Sequence, residues 1–228
     1  MIICGMEKAS LVDYDKKIAA VLFTGGCNMR CPFCHNAELV LATPDDALDE
    51  AEIFDYLEKR KGLIDAVVIS GGEPTLQKDL IPFVEKVRET GLAVKLDTNG
   101  LRPDVLATLF GRNLLDYVAM DVKNSRKKYS MTAGTGVDFS AVSESIGLIM
   151  ANAPDYEFRT TVIKELHTEE DIADIADRIA GAKKYFLQKY KDADTCFEHG
   201  FTAPSKVTAL RFCEIASQKV DYVGLRGF

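Results

Sequence analysis

The sequence of 228 residues has no run of about 18 apolar residues, so a helical membrane span is not expected. Its first residues, MIICGMEKASLVDYDKK, lack a long apolar stretch behind a basic start. No secretory leader is therefore expected, and the cytoplasm is the expected compartment. Basic residues are not in excess: 28 Lys and Arg stand against 35 Asp and Glu, a formal charge of −7. A general nucleic-acid binder needs a basic footprint, so neither nucleic acid nor membrane is expected as a partner. Linkers, low-complexity stretches and strong internal repeats are missing too. The expectation is a single domain over residues 1–228 with short N- and C-terminal extensions. Cysteine is scarce, at six residues, and a reducing compartment disfavours disulfides. Cys4, Cys196 and Cys213 are scattered, as small buried hydrophobes often are. The other three crowd into CNMRCPFCHN, with no fourth cysteine beside them.

What is present is a regular alternation of short β-branched runs and longer helical patterns. Strands are expected at 18–26, 65–72, 93–100, 117–124, 156–163 and 184–190, with a further candidate at 221–227. Helices are expected at 51–61, 79–91, 103–110, 138–153, 168–181 and 203–219. Gly91 reads as the residue closing the second helix, Pro103 as a first-turn proline and Thr168 as an N-cap. Six βα units imply a parallel sheet with right-handed crossovers. An incomplete (β/α)6 barrel and a doubly wound sheet both fit, and both bind ligands at the C-terminal ends of their strands.

Those strand ends are polar. The first runs into Cys27. The second ends in Gly71-Gly72-Glu73-Pro74 and the third in Asp97-Thr98-Asn99-Gly100. The fourth carries Asp121 and Lys123, which share a face because they are two apart, and the fifth carries Arg159. Each piece has an ordinary reading as a turn or an ion pair. Parallel topology nevertheless brings all of them to one rim. The paired glycines, lacking Cβ, suit close approach of a ligand to the backbone.

Three accounts of the cysteines compete. Cys31-x-x-Cys34 and Cys196-x-x-His199 together make a structural zinc site, in a protein that need not be an enzyme. A fully ligated iron–sulfur cluster needs a fourth thiolate from Cys4, Cys196 or Cys213. In the third account, Cys27, Cys31 and Cys34 hold a 4Fe–4S cluster whose fourth iron is left open for catalysis.

C-x-x-x-C-x-x-C after the first strand, followed by GGEP after the second, resembles the radical S-adenosylmethionine (SAM) superfamily. CPFCHN, LDTNG and MDVK resemble its glycyl-radical-enzyme activases. The opening GMEKASLVDYDKKIAAVLFTGGCNMRCPFCHNAELV and the closing VGLRGF are most similar to those serving anaerobic ribonucleoside-triphosphate reductase. The resemblance implies an oxidoreductase with one 4Fe–4S cluster on Cys27, Cys31 and Cys34, which cleaves SAM reductively. The resulting 5′-deoxyadenosyl radical takes a hydrogen atom from a glycine of a partner enzyme. It places Phe33 near the adenine, and Gly71, Gly72 and Glu73 along the methionyl amino group, largely through backbone. Asp97 contacts that amino group or a monovalent cation near Asp97 and Asp121. Asp121 and Lys123 hold the ribose and carboxylate region, and Arg159 the carboxylate. The histidine that relatives bring to the nucleoside has no clear match; Tyr190 and His199 are the candidates. The implied partners are a glycyl radical enzyme and an electron donor such as flavodoxin or ferredoxin. Activation of a pyruvate formate-lyase-type enzyme, or a small-molecule reaction like that of 7-carboxy-7-deazaguanine synthase, are the alternatives.

Overall fold

The computed structural model describes residues 1–228. Eight strands form one sheet in sequence order: β1 (Ile3–Ser10), β2 (Ala19–Thr24), β3 (Ala66–Gly71), β4 (Ala93–Thr98), β5 (Tyr117–Asp121), β6 (Asp155–Val162), β7 (Tyr185–Lys189) and β8 (Val223–Arg226). From β2 to β8 every pairing is parallel, whereas β1 runs antiparallel to β2. A doubly wound sheet reverses its strand order at a switch point. The unbroken order here instead describes an incomplete α/β barrel whose edges, β1 and β8, do not pair with each other.

The sheet has seven parallel strands rather than six, because β8 joins it. The strand β1 was not foreseen. Its sequence, ICGMEKAS, carries Glu7 and Lys8 at exposed positions, so no apolar run betrays it.

Eight helices fill the connections: α1 (Ala37–Val40), α2 (Glu50–Lys59), α3 (Leu80–Glu89), α4 (Pro103–Gly111), α5 (Tyr129–Ala133), α6 (Phe139–Asn152), α7 (Glu169–Arg178) and α8 (Lys206–Ala216). None is long and apolar enough to cross a membrane. Their ends follow local chemistry. Gly91 has φ +84° just beyond α3, and Pro103 is the first residue of α4. Thr168 and Asp171 form a reciprocal capping box on α7.

Strand periodicity divides the apolar residues into two sets. Leu22, Val67, Ile69, Val94, Leu96, Val118, Met120 and Phe158 belong to the main core with the helices. The alternate residues Ala19, Val21, Ala66, Val68, Tyr117 and Ala119 make a smaller cluster with Tyr14. Tyr14 belongs to the β1–β2 connection, which packs at the N-terminal ends of the strands. Its ring lies 5.3 Å from that of Tyr117, and Lys95 Nζ donates to the carbonyl of Asp13.

Candidate functional site

At the opposite, C-terminal ends of the strands lies a cavity of about 190 Å³. Cys27, Cys31 and Cys34 form one part of its wall; Gly71, Gly72, Glu73, Asp97, Asp121, Lys123 and Arg159 form much of the rest. Residues spread across 130 positions of sequence therefore meet because parallel strands end on one side.

The cysteine loop, from Gly25 to α1, is pinned by backbone hydrogen bonds to α1 and to two distant segments. Gly26 N–H donates to Leu39 (2.7 Å), Arg30 N–H to Ala133 (2.9 Å) and Glu198 N–H to Pro32 (2.8 Å). The Arg30 guanidinium donates to the carbonyls of Cys27 (2.7 Å) and Met29 (2.8 Å). Gly134, at φ +66°, ends α5 so close to this loop that a Cβ would lie 1.8 Å from the Arg30 carbonyl oxygen. Burial pushes the Cys31 thiol up to about 11. It also raises Cys27 and Cys34, against backbone N–H groups of Met29 and Asn36 and the charge of Lys123. A metal must displace such protons to bind. N–H donors on the sulfurs and a cation nearby are the surroundings that hold and tune thiolate-ligated clusters. By its donor set the site therefore fits the implied iron–sulfur cluster.

Both glycines line the cavity, and packing within the protein by itself already excludes a side chain at either position. A Cβ on Gly71 would meet the Thr24 backbone nitrogen at 2.5 Å, and one on Gly72 the Gly26 carbonyl oxygen at 2.1 Å. Glu73 lines the cavity, and its side chain has a separate task. Its side chain is fully buried, where it accepts from Thr75 N–H (3.1 Å), the Thr75 hydroxyl (2.5 Å), the Thr98 hydroxyl (2.8 Å) and Asn99 N–H (2.7 Å). This carboxylate braces the end of β3 against the end of β4.

Charged side chains alternate across the cavity floor. Arg159 lies between two carboxylates, with Nε 2.8 Å from Asp121 Oδ1 and Nη1 3.2 Å from Asp97 Oδ2. Lys123 Nζ is 3.0 Å from Asp121 Oδ2, and Lys95 Nζ is 3.3 Å from Asp97 Oδ1. Ser70 donates to Asp97 Oδ2 at 3.0 Å, while Asp97 Oδ1 accepts no hydrogen bond. Burial raises both aspartates, but Arg159 outweighs it, with Lys123 at Asp121 and Lys95 at Asp97. Both carboxyls end below their usual range. Burial would lower Lys123 and Arg159; their carboxylate neighbours raise them instead. All four side chains are charged at neutral pH.

Phe33 does not line this cavity with the other expected residues. It is buried edge-on against Tyr190 and Phe201, at centroid distances of 6.4 and 6.5 Å. Tyr190 donates to Asp192 and His199 pairs with the same carboxylate, both away from the cavity. The four proposed zinc ligands do not converge, and no three His, Cys, Asp or Glu side chains are arranged to hold one metal ion. Cys196 is buried beneath Tyr190.

The sequence reading missed Lys95 and Ser70, and it brought Asn99 to the rim without giving it a role. Asn99 Nδ2 lies 2.8 Å from Asn28 Oδ1 and 3.9 Å from Cys27 Sγ, joining the end of β4 to the cysteine loop. It also missed His167, which is buried with Nδ1 accepting from Ile163 N–H (3.1 Å) and Nε2–H donating to the Lys123 carbonyl (3.0 Å). His167 thus ties the strand end bearing Lys123 to the one following Arg159. A lone histidine in a loop gave no sign of this.

Residues 21–179 match the family model described as the radical SAM superfamily. A Methanocaldococcus jannaschii protein, provisionally named a glycyl-radical enzyme activating enzyme, is 38% identical over 232 residues, covering 99% of this chain and 95% of that one. The pyruvate formate-lyase-activating enzyme of Listeria monocytogenes is 30% identical over 138 residues, 54% of this chain and 56% of that one. The fold is also similar to that of Streptococcus suis SuiB bound to S-adenosylmethionine. That comparison has a TM-score of 0.71 at 14% identity, over 91% of this chain and 52% of the other.

Proposed function

We propose, on the premise that this chain belongs to the radical SAM superfamily and to its glycyl-radical-enzyme activating group, that it primes an anaerobic ribonucleoside-triphosphate reductase in the cytoplasm. One observation carries this reading: three thiols in a pinned loop share a single cavity with an alternating set of carboxylates and cations. Cys27, Cys31 and Cys34 would hold a 4Fe–4S cluster. When bound, that cluster supplies one electron to the sulfonium of SAM, and the organic radical released takes a hydrogen atom from a glycine Cα of the partner.

The chain's own residues bind and orient. Lys123 and Arg159 suit the methionyl carboxylate through charge-assisted hydrogen bonds, with a fork geometry available to arginine. Asp97 and Asp121 suit the amine, the sulfonium and the ribose. Gly71 and Gly72 present backbone at the wall. Phe33 supports the cysteine loop from behind in this reading, by its packing on Tyr190 and Phe201.

The choice of reductase over pyruvate formate-lyase rests on the opening and closing segments. The opening segment folds as β1, β2, the cysteine loop and α1, and the closing one as β8, so the two include both edge strands of the barrel. A glycine-bearing loop has to reach the cavity mouth, and an unclosed barrel leaves room for it. A flavodoxin or ferredoxin is the proposed reductant.

The test is anaerobic incubation of reconstituted protein with SAM, a reductant and the candidate reductase, read by electron paramagnetic resonance. A glycyl-type doublet that appears only with SAM supports the reading. A doublet formed on pyruvate formate-lyase and not on the reductase would move the partner. SAM cleavage with neither would point to a small-molecule substrate.

A further inference from the structure

The resemblance implies a monovalent cation near Asp97 and Asp121, yet the protein's own cations already stand there. Arg159 bridges the two carboxylates, and Lys95 reaches Asp97 from below. Lys95 is only 4% exposed, inside the barrel one turn of the pleat beneath the cavity. Its ammonium has three kinds of neighbour: the Asp97 carboxylate at 3.3 Å, the carbonyl oxygen of Asp13, and the face of the Tyr117 ring at 5.6 Å. A carboxylate, a backbone carbonyl and an aromatic face are what a potassium or sodium ion would also accept, since the charge is the same and both are compact cations.

We propose that Lys95 is a tethered replacement for a monovalent cation beneath the SAM site, so that this protein binds SAM without a free alkali ion. The inference rests on the proposed function, because it presumes that Asp97 serves SAM. The physical argument concerns charge balance during binding. Arg159 is the counter-ion that Asp97 and Asp121 share. When the carboxylate of SAM engages that guanidinium, Asp97 loses part of its compensation. A buried carboxylate without a partner is costly. Lys95 holds its charge beside Asp97 Oδ1 throughout and lies too deep to be drawn away. It is a positioning residue, acting through Asp97.

The experiment measures the SAM dissociation constant of the cluster-loaded protein in potassium, sodium or choline chloride at one ionic strength. For the native protein the constants are expected to agree within about twofold, because choline is too bulky for an ion site and none is needed. Lys95→Ala opens space beside Asp97. It is expected to bind SAM about tenfold more weakly in choline, roughly 1.4 kcal/mol, with potassium or sodium restoring most of the loss. Lys95→Met fills the same space with an apolar chain and is expected to stay weak in every salt.

A tenfold weakening of the native protein in choline overturns the proposal, since it reveals a free ion alongside Lys95. So does a Lys95→Ala protein that binds as tightly as the native one in choline. Should the variants fail to fold, the native comparison decides alone. Failure of the native protein to bind SAM in any salt would instead remove the proposed function, and Lys95 would have nothing to assist.

Discussion

Gly72 packs so closely on Gly26 that a Cβ at position 72 would stand 2.1 Å from the Gly26 carbonyl oxygen. The same oxygen accepts the Glu73 N–H at 2.8 Å. The end of β3 and the start of the cysteine loop are thus joined backbone to backbone. Gly72→Ala is expected to destabilise the protein by about 3 kcal/mol, the upper end of overpacking costs, because backbone cannot rotate out of the way. Thermal unfolding of the metal-free protein and iron content after reconstitution should both fall.

Replacing Cys27, Cys31 or Cys34 singly with Ala should reduce SAM cleavage to background and lower bound iron. Cys213→Ala should do neither, since Cys213 lies on α8 and does not line the cavity. Iron analysis with 5′-deoxyadenosine assay decides, and equal loss in the Cys213 variant would refute the ligand set.

Arg159→Ala removes the bridge between Asp97 and Asp121. SAM affinity should drop about tenfold or more, about 1.4 kcal/mol, while cluster content stays unchanged. A variant that loses its iron before it loses SAM affinity would assign Arg159 to the fold instead.

Inside the barrel, Arg226 of β8 makes two hydrogen bonds to Glu157 of β6, at 2.6 and 2.8 Å, and Tyr117 adds a third at 2.9 Å. Glu157 is almost fully buried, so Arg226→Ala strands its charge. A loss of about 3 kcal/mol is expected, the low end for breaking buried pairs, because Arg226 is itself partly exposed. Adding Glu157→Gln should recover part of the melting temperature. If it recovers none, the loss lies in stacking of the Arg226 guanidinium on the Phe186 ring, 3.6 Å from its centroid.

Acid stability should carry the mark of Asp171. Burial raises this carboxyl, but hydrogen bonds from Lys128, Ser125 and Thr168 outweigh it and bring it down to about 2. A depressed folded value stabilises above the unfolded value, near 3.9, and the benefit disappears as pH falls through about 2. Denaturation of the metal-free protein between pH 5 and pH 2 should therefore show a steeper loss for the native protein than for Asp171→Asn. Parallel curves would mean that the capping box does not depend on the charge.

The parallel strands were legible because each is a short apolar run between polar turns, and their common direction followed from the helices between them. The edge strand β1 was not, because Glu7, Lys8 and Ala9 in its second half are exposed. The rim residues came together as topology requires, but two reasons behind them were hidden. Gly71 and Gly72 read as room for a ligand, and the sequence did not show that the backbone of β2 and its following turn also requires them. Glu73 read as backbone lining, whereas its carboxylate is a four-bonded brace. Lys95 and Glu157 did leave a trace. In AVKLDT and YEFRT a charged residue sits two positions before Asp97 and before Arg159, hence on the same face of its strand. A pair of charges at that spacing inside an apolar strand marks an interior polar column, a signal that strand-end reasoning passes over.

The pins on the cysteine loop have a consequence for biogenesis. In a zinc finger the metal organises the chain, and the metal-free peptide is unfolded. Here Leu39, Ala133 and Glu198 hold the loop through main-chain contacts that involve no sulfur. Folding of the polypeptide is therefore expected not to wait for iron. A cluster lost to oxygen would then be replaceable in the same molecule, in a socket that outlasts its contents.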